Sequence, residues 1–170
     1  MPLLSLLLFI FISFFLPLAA NAQTGNTSTG TDALDSVTTG DYNSAFGEAA
    51  LSSNTSGSEN AAAGADALTA NTTGNNNAAL GYRTLRYNTS GVNNSGLGSY
   101  ALYNNTTGEN NSGVGFQALF SNTTGTNSTA VGTNALYSNT SGSDNVASGA
   151  SALYFNTSGS GNSALGASAL

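Results

Sequence analysis

From residue 40 onward, apolar and polar positions recur with a period of 17. Leu never fails in one slot, at Leu51, Leu68, Leu85, Leu102, Leu119, Leu136, Leu153 and Leu170. Gly opens each unit, from Gly40 and Gly57 to Gly159, and returns seven residues later, from Gly47 and Gly64 to Gly166. The unit is approximately G-x-N-N-S-A-[VL]-G-x-x-A-L-[YF]-x-N-T-[TS]. It is too short for a helical hairpin and carries two fixed glycines, so helices are not expected. Two short apolar pieces, such as Ser112-Gly113-Val114 and Ala118-Leu119-Phe120, are separated by a Gly corner and an Asn-Thr-Thr-Gly turn. This predicts an all-β fold, a parallel β-solenoid (β-roll) with two strands and two turns in each 17-residue coil.

Within those pieces, neighbouring residues are both apolar: Ala79-Leu80, Ala130-Val131 and Ala164-Leu165 in the first, Ala101-Leu102, Ala135-Leu136 and Ala152-Leu153 in the second. A strand with one wet face alternates instead. Consecutive strand residues point to opposite sides, so both faces are expected to be buried, one inside the coil and one against a partner. The predicted assembly is a homo-oligomer, most simply a homotrimer of parallel solenoids, in preference to a monomer with a double-layer interior. Its weak spots are Ala63 and Ser148, where the large apolar slot is vacated. Coils stacked ~4.8 Å apart would turn each Asn slot into a ladder of amides and give a rod about 40 Å long for roughly nine coils.

The frame extends back to Gln23. Residues 23–39 form a divergent unit in which Ser28 and Thr29 take slots usually held by Ala and a larger apolar residue. Polar substitution there suits an N-terminal capping repeat. Residues 40–170 form the solenoid proper, its last unit incomplete at Leu170. Residues 1–22 differ in kind: Leu3 to Leu18 is almost wholly apolar and is followed by Ala20-Asn21-Ala22. That pattern predicts a secretory signal peptide cut after Ala22, with a retained membrane anchor as the alternative. The mature chain is therefore expected to be secreted or displayed on a cell surface, with no integral membrane span after cleavage.

Composition then narrows the chemistry. The 170 residues include no His and no Cys, and only 2 Lys+Arg against 8 Asp+Glu, for a net charge of -6. No imidazole base, thiolate or nitrogen/sulfur zinc site can be built, and export without Cys means no reliance on disulfides. No catalytic residue, cofactor or metal is expected, and the chain is not expected to be an enzyme. Nucleic acid is excluded as a partner because phosphate binding needs clustered cations. The acidic residues Asp32, Asp35, Asp41, Glu48, Glu59, Asp66, Glu109 and Asp144 scatter over different slots, which suits solubility. Arg83 and Arg86, both in one unit, are expected to pair locally with an acidic neighbour.

Two repeated files remain. Tyr103, Phe120, Tyr137 and Tyr154 share the slot after Leu and should stack between coils, rather than serve as a carbohydrate platform. The second file is the candidate surface ladder Asn54, Thr55, Asn71, Thr72, Asn88, Thr89, Asn105, Thr106, Asn122, Thr123, Asn139, Thr140, Asn156 and Thr157. Its Asn-Thr-Ser/Thr triplets match the N-glycosylation acceptor pattern, although turn formation explains the same residues. A regular Thr file also raises ice binding as an alternative function.

Asn127 to Thr140 runs N-S-T-A-V-G-T-N-A-L-Y-S-N-T. This resembles the A-[VI]-G-x-x-A repeats in head domains of trimeric autotransporter adhesins, and more closely the longer A-V-G-x-N-A-L-Y-x-N-T-T-G arrays of bacterial surface and fibre-like proteins. The likeness covers Gln23 to Leu170 and implies a trimeric left-handed β-roll used for attachment. The unit here is longer than the autotransporter head repeat, so its outer turn must differ. The expected function is a secreted or surface-displayed structural, adhesive rod whose ligand is a surface, a matrix or a glycan.

Overall fold

The computed structural model describes residues 24–170, and the signal-peptide assignment of 1–22 lies outside the described residues. Nine three-residue strands stack into one parallel sheet in chain order: β1 (Thr27–Thr29), β2 (Ser44–Phe46), β3 (Ala61–Ala63), β4 (Ala78–Leu80), β5 (Ser95–Leu97), β6 (Ser112–Val114), β7 (Thr129–Val131), β8 (Val146–Ser148) and β9 (Ser163–Leu165). Every pairing is offset by one repeat, as in Ser112↔Thr129, Gly113↔Ala130 and Val114↔Val131. The chain is thus a parallel β-solenoid, and no helix occurs among the described residues.

Strands β2 to β9 alternate, each with a buried central residue. In β4, Ala79 is buried while Ala78 and Leu80 are exposed, and β5 and β9 repeat that pattern. Ala or Gly therefore lines the coil interior, and the Val or Leu slot faces outward. In β1 all three residues are exposed.

The second predicted strand does not exist. The Ala-Leu-Tyr piece is a continuous turn in which Leu adopts left-handed φ, from 50° at Leu153 to 56° at Leu34. The residue two places before Leu does the same, as at Gln117 (56°) and Asn134 (58°). Such φ reverses the strand alternation, so Ala118 and Leu119 both point into the coil, each 0% exposed. The expectation that this pair divides between two faces is thereby corrected. Left-handed φ costs an L-residue about 1–2 kcal/mol, whereas full burial of a Leu side chain returns about 1.5–3 kcal/mol. The turn also keeps its main-chain bonds between coils: Leu102 N–H donates to Ala118 O at 2.9 Å and Gln117 N–H to Ser99 O at 3.1 Å.

The two glycine series serve different needs. At the corner after each strand, Gly115 has φ 130°, and a Cβ there would lie 2.6 Å from Gly132 O in the next coil. The opening glycines have no such φ. A Cβ at Gly108 would instead strike Asn105 Oδ1 at 2.3 Å, so an amide already fills the space. The core between these corners is a column of Ala from the strands packed on Ala and Leu from the turns.

Candidate functional site

The Asn half of the proposed surface ladder lies in the interior. Asn54, Asn71, Asn88, Asn105, Asn122 and Asn139 are fully buried, and Asn156 is half-buried. The reason is that each amide closes its own turn and joins two coils at once. Asn105 Nδ2 donates to Asn88 Oδ1 at 2.8 Å and to Gly108 O at 3.0 Å, while its Oδ1 accepts from Asn122 Nδ2 at 2.8 Å. Both donors and the acceptor are thus satisfied without water. A second column stands in the slot before each strand. Asn60 donates its backbone N–H to Asn43 Oδ1 at 3.0 Å and its Nδ2 to Gly74 O at 2.8 Å. Ser128 interrupts that column but bridges it, its N–H donating to Asn111 Oδ1 and its Oγ accepting from Asn145 N–H.

The Thr half of the file stays nearer solvent. Thr55, Thr72, Thr89, Thr106 and Thr123 are half-buried, and Thr140 and Thr157 are exposed. Up to Thr140 the hydroxyls are committed: Thr55 Oγ1 donates to Thr72 O at 3.0 Å, and each following Thr from Thr72 to Thr140 repeats the bond within 2.9–3.1 Å. From Asn71 to Asn156 the acceptor triplets offer no free amide in the folded rod, since both N–H bonds of each side chain are taken, and Asn54, bonded to Gly57 O, is fully buried.

The outer edge carries the aromatic stack. Tyr103, Phe120, Tyr137 and Tyr154 lie 5.0–5.1 Å apart with interplanar angles of 3–6°. Their ring faces cover one another, and the two ends are closed edge-on by Tyr87 and Phe155. The faces of these four rings are covered and none is open to a sugar. Sequence reasoning missed that Tyr82, Tyr87, Tyr100 and Phe116 join it, with Tyr100 touching Tyr82, Tyr103, Phe116 and Phe120. The signal was present as aromatics at other slots of the same coils, Tyr87 one place after the stacked slot, Tyr100 three places before it, and Tyr82 and Phe116 four before it, which neighbour one another across adjacent coils.

Arg83 and Arg86 meet the acidic neighbour expected of them. Arg83 Nε donates to Asp66 Oδ2 at 3.0 Å, and Arg86 Nη2 lies 3.8 Å from the same oxygen. Asp66 therefore has a pairing role beyond solubility, and its carboxylate holds the Arg83 guanidinium above its ordinary range. Next to them, the Tyr87–Tyr103 hydrogen bond splits the two phenols. It raises Tyr87 and lowers Tyr103, which desolvation opposes and Arg86 assists.

The third surface is the outward side of the sheet. Phe46, Leu80, Leu97, Val114 and Val131 are 38–53% exposed there, in an unbroken row except at Ala63. Neither outward slot of any strand holds a charged residue. A shallow apolar hollow of about 490 Å³ lies where Ala63 leaves a gap between Phe46 and Leu80. Among the described residues, no cluster of acidic side chains could hold a metal ion, and no helix is long and apolar enough to cross a membrane. Compared with known families, curated proteins and solved structures, the chain finds no match.

Proposed function

We propose that this chain is a structural rod of a secreted or surface-displayed assembly, that it associates with copies of itself through the sheet face, most simply as a homotrimer, and that it serves attachment. The observation that carries the proposal is the uncharged apolar row Phe46, Leu80, Leu97, Val114 and Val131. A row whose spacing is the strand spacing itself is matched along its whole length by a surface of the same period, and a second copy supplies one. Each half-exposed side chain in it has about 1 kcal/mol to gain from burial, multiplied over the row and over each protomer. Catalysis forms no part of the proposal, because the chain lacks His and Cys. Ice adsorption is not favoured, because the Thr hydroxyl protons are spent on main-chain carbonyls; absence of thermal hysteresis is the expected result.

Light scattering coupled to size exclusion should give three times the chain mass, and a monomeric mass for folded protein would overturn the assembly. For attachment, single-coil deletions such as Gly91 to Thr107 should leave a shorter folded rod, since solenoid stability is nearly a sum over coils. Surface binding should then fall gradually with coil number through lost multivalency. Binding that disappears with any single deletion, while folding survives, would refute a distributed attachment surface.

A further inference from the structure

One coil departs from the repeat at its outer edge. Residues 82–87 read Tyr-Arg-Thr-Leu-Arg-Tyr and hold both basic residues of the protein. The two guanidinium groups share the single carboxylate oxygen of Asp66, at 3.0 and 3.8 Å. Arg83 alone answers that charge, and the longer distance is no hydrogen bond. The locus therefore carries a surplus positive charge in a chain of net charge -6. Arg83 lies over the Tyr82 ring at 4.8 Å and Arg86 over Tyr87 at 5.5 Å, and these rings are 40% and 42% exposed. Neither ring is loose: Tyr100 braces Tyr82 edge-on at 5.4 Å, and Tyr103 braces Tyr87 at 5.0 Å. In the preceding coil the equivalent slots hold the small Ala65, Thr69 and Ala70. The tall aromatic edge thus begins abruptly, with the guanidinium groups at its step.

Folding of a coil does not require the second Arg or these two rings, since some coils fill the same slots with small residues: Ser52 and Thr69 in that of Arg86, Ala65 and Ser99 in that of Tyr82, Ser53 and Ala70 in that of Tyr87. What the step offers is one net positive charge, guanidinium N–H groups in a planar fork, and exposed aromatic surface. We propose that it binds a monoanionic acidic sugar residue, a uronate or sialate, with its carboxylate on the Arg N–H groups and its C–H face on Tyr82 or Tyr87. The charge balance selects one carboxylate. A polyanion would meet Asp66 and the negative remainder of the chain, which a single acidic sugar largely escapes. The exposed rings distinguish a sugar from a bare carboxylate, because they reward an apolar C–H face. This site does not depend on the attachment proposal, since a soluble monosaccharide tests it without any surface.

Titration calorimetry and saturation-transfer NMR on the intact chain, with glucuronate, glucose and acetate as probes, decide the matter. Glucuronate should bind at least about tenfold more tightly than glucose, the worth of a charge-assisted hydrogen bond, and more tightly than acetate. Arg86→Gln should weaken glucuronate about tenfold with the melting curve unchanged. Asp66→Asn should strengthen it, an effect that a purely structural ion pair would not produce. Absence of saturable glucuronate binding overturns the site, and so does acetate binding as tightly as glucuronate. Tighter binding of an acidic peptide or a polysulfate would reassign it to a different partner and equally refute the sugar. If glucuronate binding fails while single-coil deletions still give graded attachment, the rod proposal stands and only this one falls.

Discussion

Replacing Asn105 by Ala removes one link from the interior amide column and leaves its neighbours without partners. Asn88 Oδ1 loses the Nδ2 donor 2.8 Å away, and Asn122 Nδ2 loses one of its two acceptors. Gly108 O also loses a donor but keeps Asn94 Nδ2 at 2.8 Å. The site is 0% exposed, so water does not replace these bonds. Two newly orphaned groups at about 1–3 kcal/mol each give a loss of about 4 kcal/mol. The same substitution at Asn156 behaves differently. That amide is half-buried and its own Oδ1 accepts only a long bond from Asn162 at 3.5 Å, so the one group orphaned is Asn139 Oδ1, which loses its donor at 2.9 Å, and the loss is about 1–3 kcal/mol. Asn94→Ser should fall between them, because Ser128 already bridges that column through its backbone N–H and Oγ. Urea unfolding followed by circular dichroism measures all three. Equal losses at Asn105 and Asn156, or a loss at Asn105 within about 1 kcal/mol of zero, would refute the ladder as a source of stability.

Three further outcomes are expected. Leu97→Asp, on the exposed sheet face, should leave the circular dichroism spectrum intact and reduce the mass to that of a monomer, whereas Leu119→Asp, buried inside a coil, should cost more than about 4 kcal/mol and prevent folding. Gly96→Ala should destabilise by about 1–3 kcal/mol because its Cβ would lie 2.4 Å from Thr84 Cγ2, and adding Thr84→Ala should recover much of that, read as a coupling energy in a double-mutant cycle. Ultraviolet absorbance titration should find Tyr103 ionising below the ordinary tyrosine range and Tyr87 above it, with Tyr103→Phe abolishing the early step and returning Tyr87 toward normal. The lowered Tyr103 adds stability as pH rises from its folded value toward the unfolded one. The raised Tyr87 adds stability that is present below the unfolded value and lost as pH climbs from there through its folded one.

The period, the parallel stacking, the amide columns and the aromatic stack were legible because each depends only on identical residues meeting at one offset. Residues that break their local preference were not legible. Leu119 is a poor candidate for left-handed φ, and nothing in Ala-Leu-Phe announces a turn. That conformation is imposed by the closed coil, where Ala118 and Leu119 must both face inward over a short path. The placement of Asn54 and its equivalents failed for a related reason. Asn-Thr-Ser reads as an exposed polar turn, and only the neighbouring coils reveal that the amide turns inward while Thr55 stays outside. Arg83, Arg86 and Asp66 were legible as a pairing because the chain offers so few charges.

Both amide columns are built one way round. In each, the nitrogen belongs to the later coil and the oxygen to the earlier one, from Asn43 and Asn26 to Asn156 and Asn139. Side-chain dipoles aligned in this manner add along the axis and polarise one another. The rod is consequently a vector rather than a symmetric post: within each amide column the donors point to the earlier coils and the acceptors to the later ones. Two such rods meeting tip to tip can continue their ladders only when opposite ends face. Abutting like ends would set N–H against N–H or oxygen against oxygen, so axial contacts of this architecture can propagate only with uniform direction.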